Sequence, residues 1–205
     1  MIMVALVAAV MGFYVSLKQS QQGQHIVTER PSIDGLFWPN PKLIGDFETI
    51  NHQGVLFTKE QLIGKWSFIF FGYTHCPDIC PITMSVMADT YDKLEDKNNV
   101  QIIFVSVDPI RDTTDKLAQY VAYFNEDFVG LGGTMEQISS LTKQIGVAYY
   151  LNIEDDAENY LVDHSASIFL TDPMARMVGK LSPPHQSEQI QQQFKEIKDF
   201  IDAQK

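Results

Sequence analysis

Hydrophobic and polar positions divide the chain into a short apolar head, a polar stretch and a long mixed region. From Met1 to Leu17 no side chain is charged and most are aliphatic. As a helix rising about 1.5 Å per residue this run spans about 26 Å, just short of the ~30 Å hydrocarbon core of a bilayer. The pattern predicts a single N-terminal transmembrane helix over residues 1–17, with Tyr14 near one interface and Lys18 reaching into the polar layer. A cleaved signal peptide fits less well, because no basic segment precedes the apolar run and no small-x-small site follows it. Residues 18–33 are polar and rich in Gln, which predicts a linker, expected over 18–40, with His25 an exposed bystander and Pro39 and Pro41 framing the approach to the folded part.

From residue 41 onward, apolar runs of strand length alternate with stretches of helical period. Trp66–Phe71 and Val100–Val107 are almost continuously apolar and predict two fully buried strands. Ser167–Leu170 predicts a third strand, ended by Thr171-Asp172-Pro173, and Met177–Gly179 its hairpin partner. Helices are expected over 81–96, with Ile82, Val86, Met87, Tyr91 and Leu94 at near-helical spacing, and over 113–124, with Leu117, Tyr120, Val121 and Phe124 inward. Two more are expected over 135–145 and 186–203, the last presenting Ile190, Phe194, Ile197 and Phe200 on one face. The order β-α-β-α-β-β-α, parallel strands first and a hairpin last, makes this an α/β domain of thioredoxin-like arrangement over 41–205.

Composition narrows the function. With 205 residues, 45% hydrophobic and 20% charged, the chain can bury one good core and has no signature of disorder. A formal net charge of −11 argues against nucleic acid, which needs a basic face, and otherwise reads as a solvated acidic surface. The two cysteines, Cys76 and Cys80, are too few for a disulfide scaffold, and their closeness points to redox or metal chemistry.

Both stand in Gly72-Tyr-Thr-His-Cys76-Pro-Asp-Ile-Cys80-Pro81, where a buried strand gives way to a helix, the end of an open α/β sheet at which sites are built. Thiols four apart can face one ion. Pro81 is tolerated at a first helical position but not inside a helix, which predicts an irregular turn over 76–80 and a regular helix from Pro81. A helix N-terminus favours thiolate, which is both the nucleophile and the soft metal ligand. Two thiolates can hold Cu(I), and a third donor would secure it and admit Cu(II). On spacing alone that donor stays open among the histidines. His164, just before the last core strands, competes with a hydrogen-bonded structural role. His75 neighbours Cys76 but its side chain should diverge, and His52 and His185 lie in turn-like contexts. Met84 and Met87 fit core packing better than thioether ligation. A thiol peroxidase fits poorly, since Thr74 lies two residues before Cys76 instead of three, whereas a zinc site of two Cys, one His and a water shares the donor types.

Three segments together are recognisable: Gly-Tyr-Thr-x-Cys-Pro-Asp-Ile-Cys-Pro at 72–81, Ser-Val-Asp-Pro-x-Arg-Asp-Thr at 106–113 and Val-Asp-His-Ser-Ala at 162–166. They resemble the Sco/SenC family, copper-binding assembly factors for the copper A centre of cytochrome c oxidase, and Gly45-Asp-Phe47 with Gly64-Lys65 fits its entry region. The resemblance runs over about residues 40–200. It implies a thioredoxin-like fold with an added β-hairpin, copper, as Cu(I) or Cu(II), held by Cys76, Cys80 and His164, and an anchor in the inner membrane that leaves the domain facing the periplasm or the mitochondrial intermembrane space. It implies as partners cytochrome c oxidase subunit II and an upstream copper donor. Asp108 matches an aspartate the family places near the site, where it could orient His164, tune a sulfur or simply cap the turn before Pro109; Asp163 and Asp78 could face a docking partner. The same cysteines would serve a thiol–disulfide reductase that keeps the subunit's cysteines reduced. Two departures, Thr114 where relatives often carry proline and Asp172-Pro-Met-Ala-Arg176 in place of a glycine-containing turn, bear on loop geometry and not on the ligands.

Overall fold

Two neighbouring strands with every residue buried form the centre of the molecule, and the remaining elements are arranged around them. The computed structural model describes residues 31–37, 39–153 and 159–204; the expected anchor over 1–17, His25 and most of the expected linker lie outside them. In chain order the elements are β1 (Lys42–Leu43), β2 (Glu48–Asn51), β3 (Leu56–Thr58), β4 (Trp66–Gly72), α1 (Ile79–Asp92), β5 (Val100–Ser106), α2 (Thr114–Phe124) and β6 (Val129–Gly132). They continue with α3 (Met135–Ile145), β7 (Tyr149–Leu151), β8 (Val162–His164), β9 (Ile168–Thr171), β10 (Arg176–Leu181) and α4 (Ser187–Asp202), and a 3-10 turn occupies Lys59–Gln61. Among the described residues no helix is long and apolar enough to cross a membrane.

The main sheet has eight strands in the order β1-β10-β9-β4-β5-β6-β2-β3, and β7 pairs with β8 in a separate two-stranded sheet. β4, β5 and β6 run parallel, while β9 and β10 return antiparallel as the expected hairpin. This is a thioredoxin-like α/β fold with an extra sheet. The central strands carry Phe68, Phe70, Phe71 and Phe104, all essentially without exposed surface. α4 covers one end of this core, its Phe194 ring standing edge-on to Trp66 at 5.5 Å and tilted on Phe68 at 4.9 Å.

Several expectations need correction. α1 starts at Ile79, two residues before Pro81. Pro81 is then the third helical residue, whose N–H is among the four that an α-helix leaves unpaired, so its missing donor breaks no bond. α1 buries Thr83, Met84, Met87, Thr90 and Tyr91, whereas Ile82 is turned outward. On α4 it is Ile201, not Phe200, that completes the fully buried face. β6 is absent from the expected order, its Val-Gly-Leu-Gly being only four residues long and half glycine. Its glycines admit α2: a Cβ at Gly132 would stand 2.8 Å from the Leu117 side chain, and one at Gly130 3.2 Å from Val121.

The two departures are accommodated locally. Thr114 takes the first position of α2, where proline is favoured but not required, behind the N-cap Thr113, whose hydroxyl accepts from the Lys116 N–H. In the β9–β10 turn Ala175 adopts φ +55°, a conformation that favours glycine. Buried Asp172 holds it there, accepting from the Met174 and Arg176 N–H groups and pairing with the Arg176 guanidinium.

Candidate metal centre

Gly72 at the end of β4 stands opposite Ser106 at the end of β5, so the loops that follow leave the sheet side by side. The Val107 N–H donates to the Gly72 carbonyl at 2.8 Å and ties them together. β9 runs antiparallel to β4 with Ile168 opposite Phe70, which brings residues 165–167, and His164 before them, to the same end. The site is therefore assembled from the loop after β4, the first turn of α1 and the end of β8.

Cys76 lies in the turn before α1, its N–H donating to the Tyr73 carbonyl at 3.2 Å. Cys80 is the second helical residue and its N–H donates to the Cys76 sulfur at 3.4 Å, so a helix-start amide faces that sulfur. Cys76 is half-buried and Cys80 fully buried. The Cys80 thiol hydrogen-bonded to Cys76 is the main influence bringing the Cys76 pKa down to about 4; burial opposes it, and His164 and the Asp78 and Cys80 backbone add to it. Cys80 moves the opposite way, its thiol held protonated by the bond to Cys76 and by burial.

His164 ends β8. Its Nε2 lies 3.3 Å from Cys80 Sγ and its Nδ1 3.0 Å from the Ser165 carbonyl. Nδ1–H donates to that carbonyl, so Nε2 faces the sulfurs, and in the neutral ring it presents them with its lone pair, the tautomer a metal ligand needs. Phe70 and Tyr73 stand edge-on to the imidazole at 6.1 and 5.9 Å. The donor atoms of Cys76, Cys80 and His164 all lie within 4.8 Å of one another, and among the described residues they are the group of His, Cys, Asp and Glu side chains that converges in this way. Two soft sulfurs and one imidazole suit copper, and zinc by donor type.

The other candidates lie elsewhere. Asp108 is fully buried, but its carboxylate is taken by the Arg111 guanidinium and the Tyr160 hydroxyl. Asp78 is exposed at the N-cap of α1, and Asp163, also exposed, accepts from the Asn152 amide. His75 sits 3.1 Å from the Thr74 hydroxyl and 3.6 Å from Asp112. His52 accepts from the Gly130 N–H, and His185 lies 2.7 Å from the Ala166 carbonyl. Both are half-buried and tied to backbone, not free surface residues. Met84 and Met87 are wholly within the core.

Two residues that the pattern of the chain did not single out shape the site. Gly72 has no room for a side chain: a Cβ there would stand 2.8 Å from both Cys80 Sγ and the Phe104 ring. Asp112, inside the 106–113 segment, accepts from the Thr74 N–H at 2.9 Å, the Thr74 hydroxyl at 2.6 Å and the Ser106 hydroxyl at 2.6 Å. It pins the cysteine loop to the end of β5. The one sequence cue was its place in a shared motif, since nothing local shows that residue 112 meets residue 74.

The family model described as SCO1/SenC matches residues 39–199. The chain is 33% identical over 166 residues to a Stutzerimonas stutzeri protein named a putative copper-binding protein, covering 80% of this chain and 81% of that one. It is 36% identical over 148 residues to the mitochondrial SCO1 homolog 1 of Arabidopsis thaliana, a match spanning 71% of this chain but only 44% of that longer protein. The crystal structure of Arabidopsis thaliana ScoI with copper bound superposes with a TM-score of 0.70 at 33% identity, over 78% of this chain and 99% of that one.

Proposed function

The chain belongs to the SCO1/SenC family, and from that premise we propose that it is a membrane-anchored copper metallochaperone that holds one copper through Cys76, Cys80 and His164. The convergence of three soft donors at the end of the central strands carries this reading. A preset Nε2 lone pair beside the sulfurs supports it, and so does the copper bound by the Arabidopsis relative. Two sulfurs and one nitrogen leave a position where a client thiolate can enter and take the metal, and the half-exposed Cys76 is the side from which it would do so. The client is cytochrome c oxidase subunit II, whose copper A centre the protein helps to assemble after loading by an upstream donor. Residues 1–17 anchor it in the inner membrane, 18–40 link the anchor to the domain, and 41–205 form the copper-binding domain facing the periplasm or intermembrane space.

Anaerobic titration with Cu(I) against a competing chelator tests the ligand set. One tight equivalent is expected, abolished in a Cys76→Ser/Cys80→Ser variant and weakened about tenfold or more in His164→Ala. Binding indifferent to His164, or no tight equivalent, would remove this ligand set.

One observation favours a second reading. The accessible sulfur is the one with pKa near 4, and its neighbour is buried and protonated, the division of labour a dithiol reductase needs. Cys76 thiolate would attack a client disulfide, releasing one client thiolate, and Cys80 would then displace the second, leaving a Cys76–Cys80 disulfide and two reduced client sulfurs. In that case His164→Ala slows reduction of the client's cysteines far less than replacement of either Cys76 or Cys80 does.

A further inference from the structure

The two halves of the site belong to different sheets. The cysteines follow β4 of the main sheet, whereas His164 ends β8, which among the described residues pairs with β7 alone. Pairing of β9 with β4 brings His164 to the right end of the main sheet, but its own strand is not paired with that sheet, so other contacts must complete its placement against the sulfurs.

Those contacts meet at Arg111. Its guanidinium lies 3.5 Å from the centre of the Tyr160 ring and 5.6 Å from that of Tyr73. Its Nε pairs with one oxygen of buried Asp108 at 2.5 Å, and the Tyr160 hydroxyl donates to the other at 2.5 Å. The guanidinium is largely buried, with 12% of the side chain exposed, and its Nη2 has no hydrogen-bond partner among the described residues, so ring faces stand in for part of its solvation. Tyr160 lies two residues before the start of β8 and is itself buried. Tyr73 is buried and sets its ring edge-on to His164 at 5.9 Å. The two tyrosines thus bear on the segment 160–164 at its start and at its end, with Arg111 between them. The same turn also holds the cysteines. The Asp108 N–H donates to the Ser106 hydroxyl, which donates to Asp112, which pins Thr74.

Resting on the copper reading above, we infer that Arg111 and Tyr160 are positioning residues that hold His164 against the sulfur pair and so set the preference of the site for Cu(II) over Cu(I). The link is ligand chemistry. Cu(I) can be retained by two thiolates when the imidazole loosens, whereas Cu(II) depends on it, so loosening the His164 strand weakens Cu(II) binding more than Cu(I) binding. Lysine cannot replace Arg111, because only the planar guanidinium can pair with a carboxylate along its edge while stacking on a ring.

The test uses the full chain in detergent, unaltered and as Arg111→Lys and Tyr160→Phe, the second removing a single hydroxyl and leaving the ring in place. In the reduced, metal-free protein, hydrogen exchange of amides 160–167 should rise about tenfold or more in both variants, with amides of β4 and β5 unchanged. Separate Cu(I) and Cu(II) competition titrations should show Cu(II) affinity falling at least about tenfold further than Cu(I) affinity. Equal losses for both ions, unchanged affinities, or faster exchange spread evenly over the central strands would each overturn the inference. If the unaltered protein took up no copper, the copper reading would fall by itself, and the exchange pattern alone would decide whether the clamp positions this strand.

Discussion

At the residue scale the site depends on one absent side chain. Gly72 lies where a Cβ would overlap both Cys80 Sγ and the Phe104 ring, and neither can retreat, since Cys80 is fully buried and Phe104 belongs to the core. Gly72→Ala is therefore expected to destabilise the fold by about 1–3 kcal/mol, the usual range for overpacking, and to weaken copper binding by displacing one sulfur. Urea denaturation alongside the Cu(I) titration checks this. A variant with unaltered stability and unaltered copper affinity would show that the cavity behind Cys80 yields more than this geometry allows. Legibility at this scale tracked distance along the chain. Cys76 and Cys80 stood out because their spacing is local. His164 lies far along the chain from them, and its spacing left it competing with other histidines until three motifs in one order resembled a known family. Asp112 and Gly72 stayed invisible as site residues because their roles come from the β4–β5 register, which no local pattern encodes.

At the scale of elements, long apolar runs and helical periods were legible, and short or glycine-rich strands were not. β4, β5, the β9–β10 hairpin and four helices lie near their expected places. β1, β2 and β3 are two to four residues long and carry too little pattern to register, while β7 and β8 derive their pairing from each other. The start of α1 shifted because a third-position proline costs no hydrogen bond. The tie between the loops after β4 and β5 is the element-level feature most open to test. Asp112→Asn replaces one acceptor oxygen by a donor facing Thr74 and Ser106, leaving buried polar groups unpaired. A loss of about 1–3 kcal/mol is expected by thermal or urea denaturation, with weaker copper binding because Cys76 is no longer held in place. Unchanged stability would mean that Asp112 does not carry the loop.

At the scale of the whole molecule, the fold brings two distant parts of one chain to the end of a buried parallel pair. The main sheet presents the sulfurs, the extra sheet presents the imidazole, and the turn after β5 touches both through Asp112 on one side and Asp108 with Arg111 on the other. The claim on which everything else rests is that one copper sits among Cys76, Cys80 and His164. X-ray absorption at the copper edge of the protein loaded with one Cu(I) equivalent measures that directly. Two sulfur neighbours and one imidazole nitrogen are expected, the imidazole contribution vanishing in His164→Ala while both sulfurs remain. A copper surrounded by sulfur alone, or an imidazole signal that survives in His164→Ala, would contradict it.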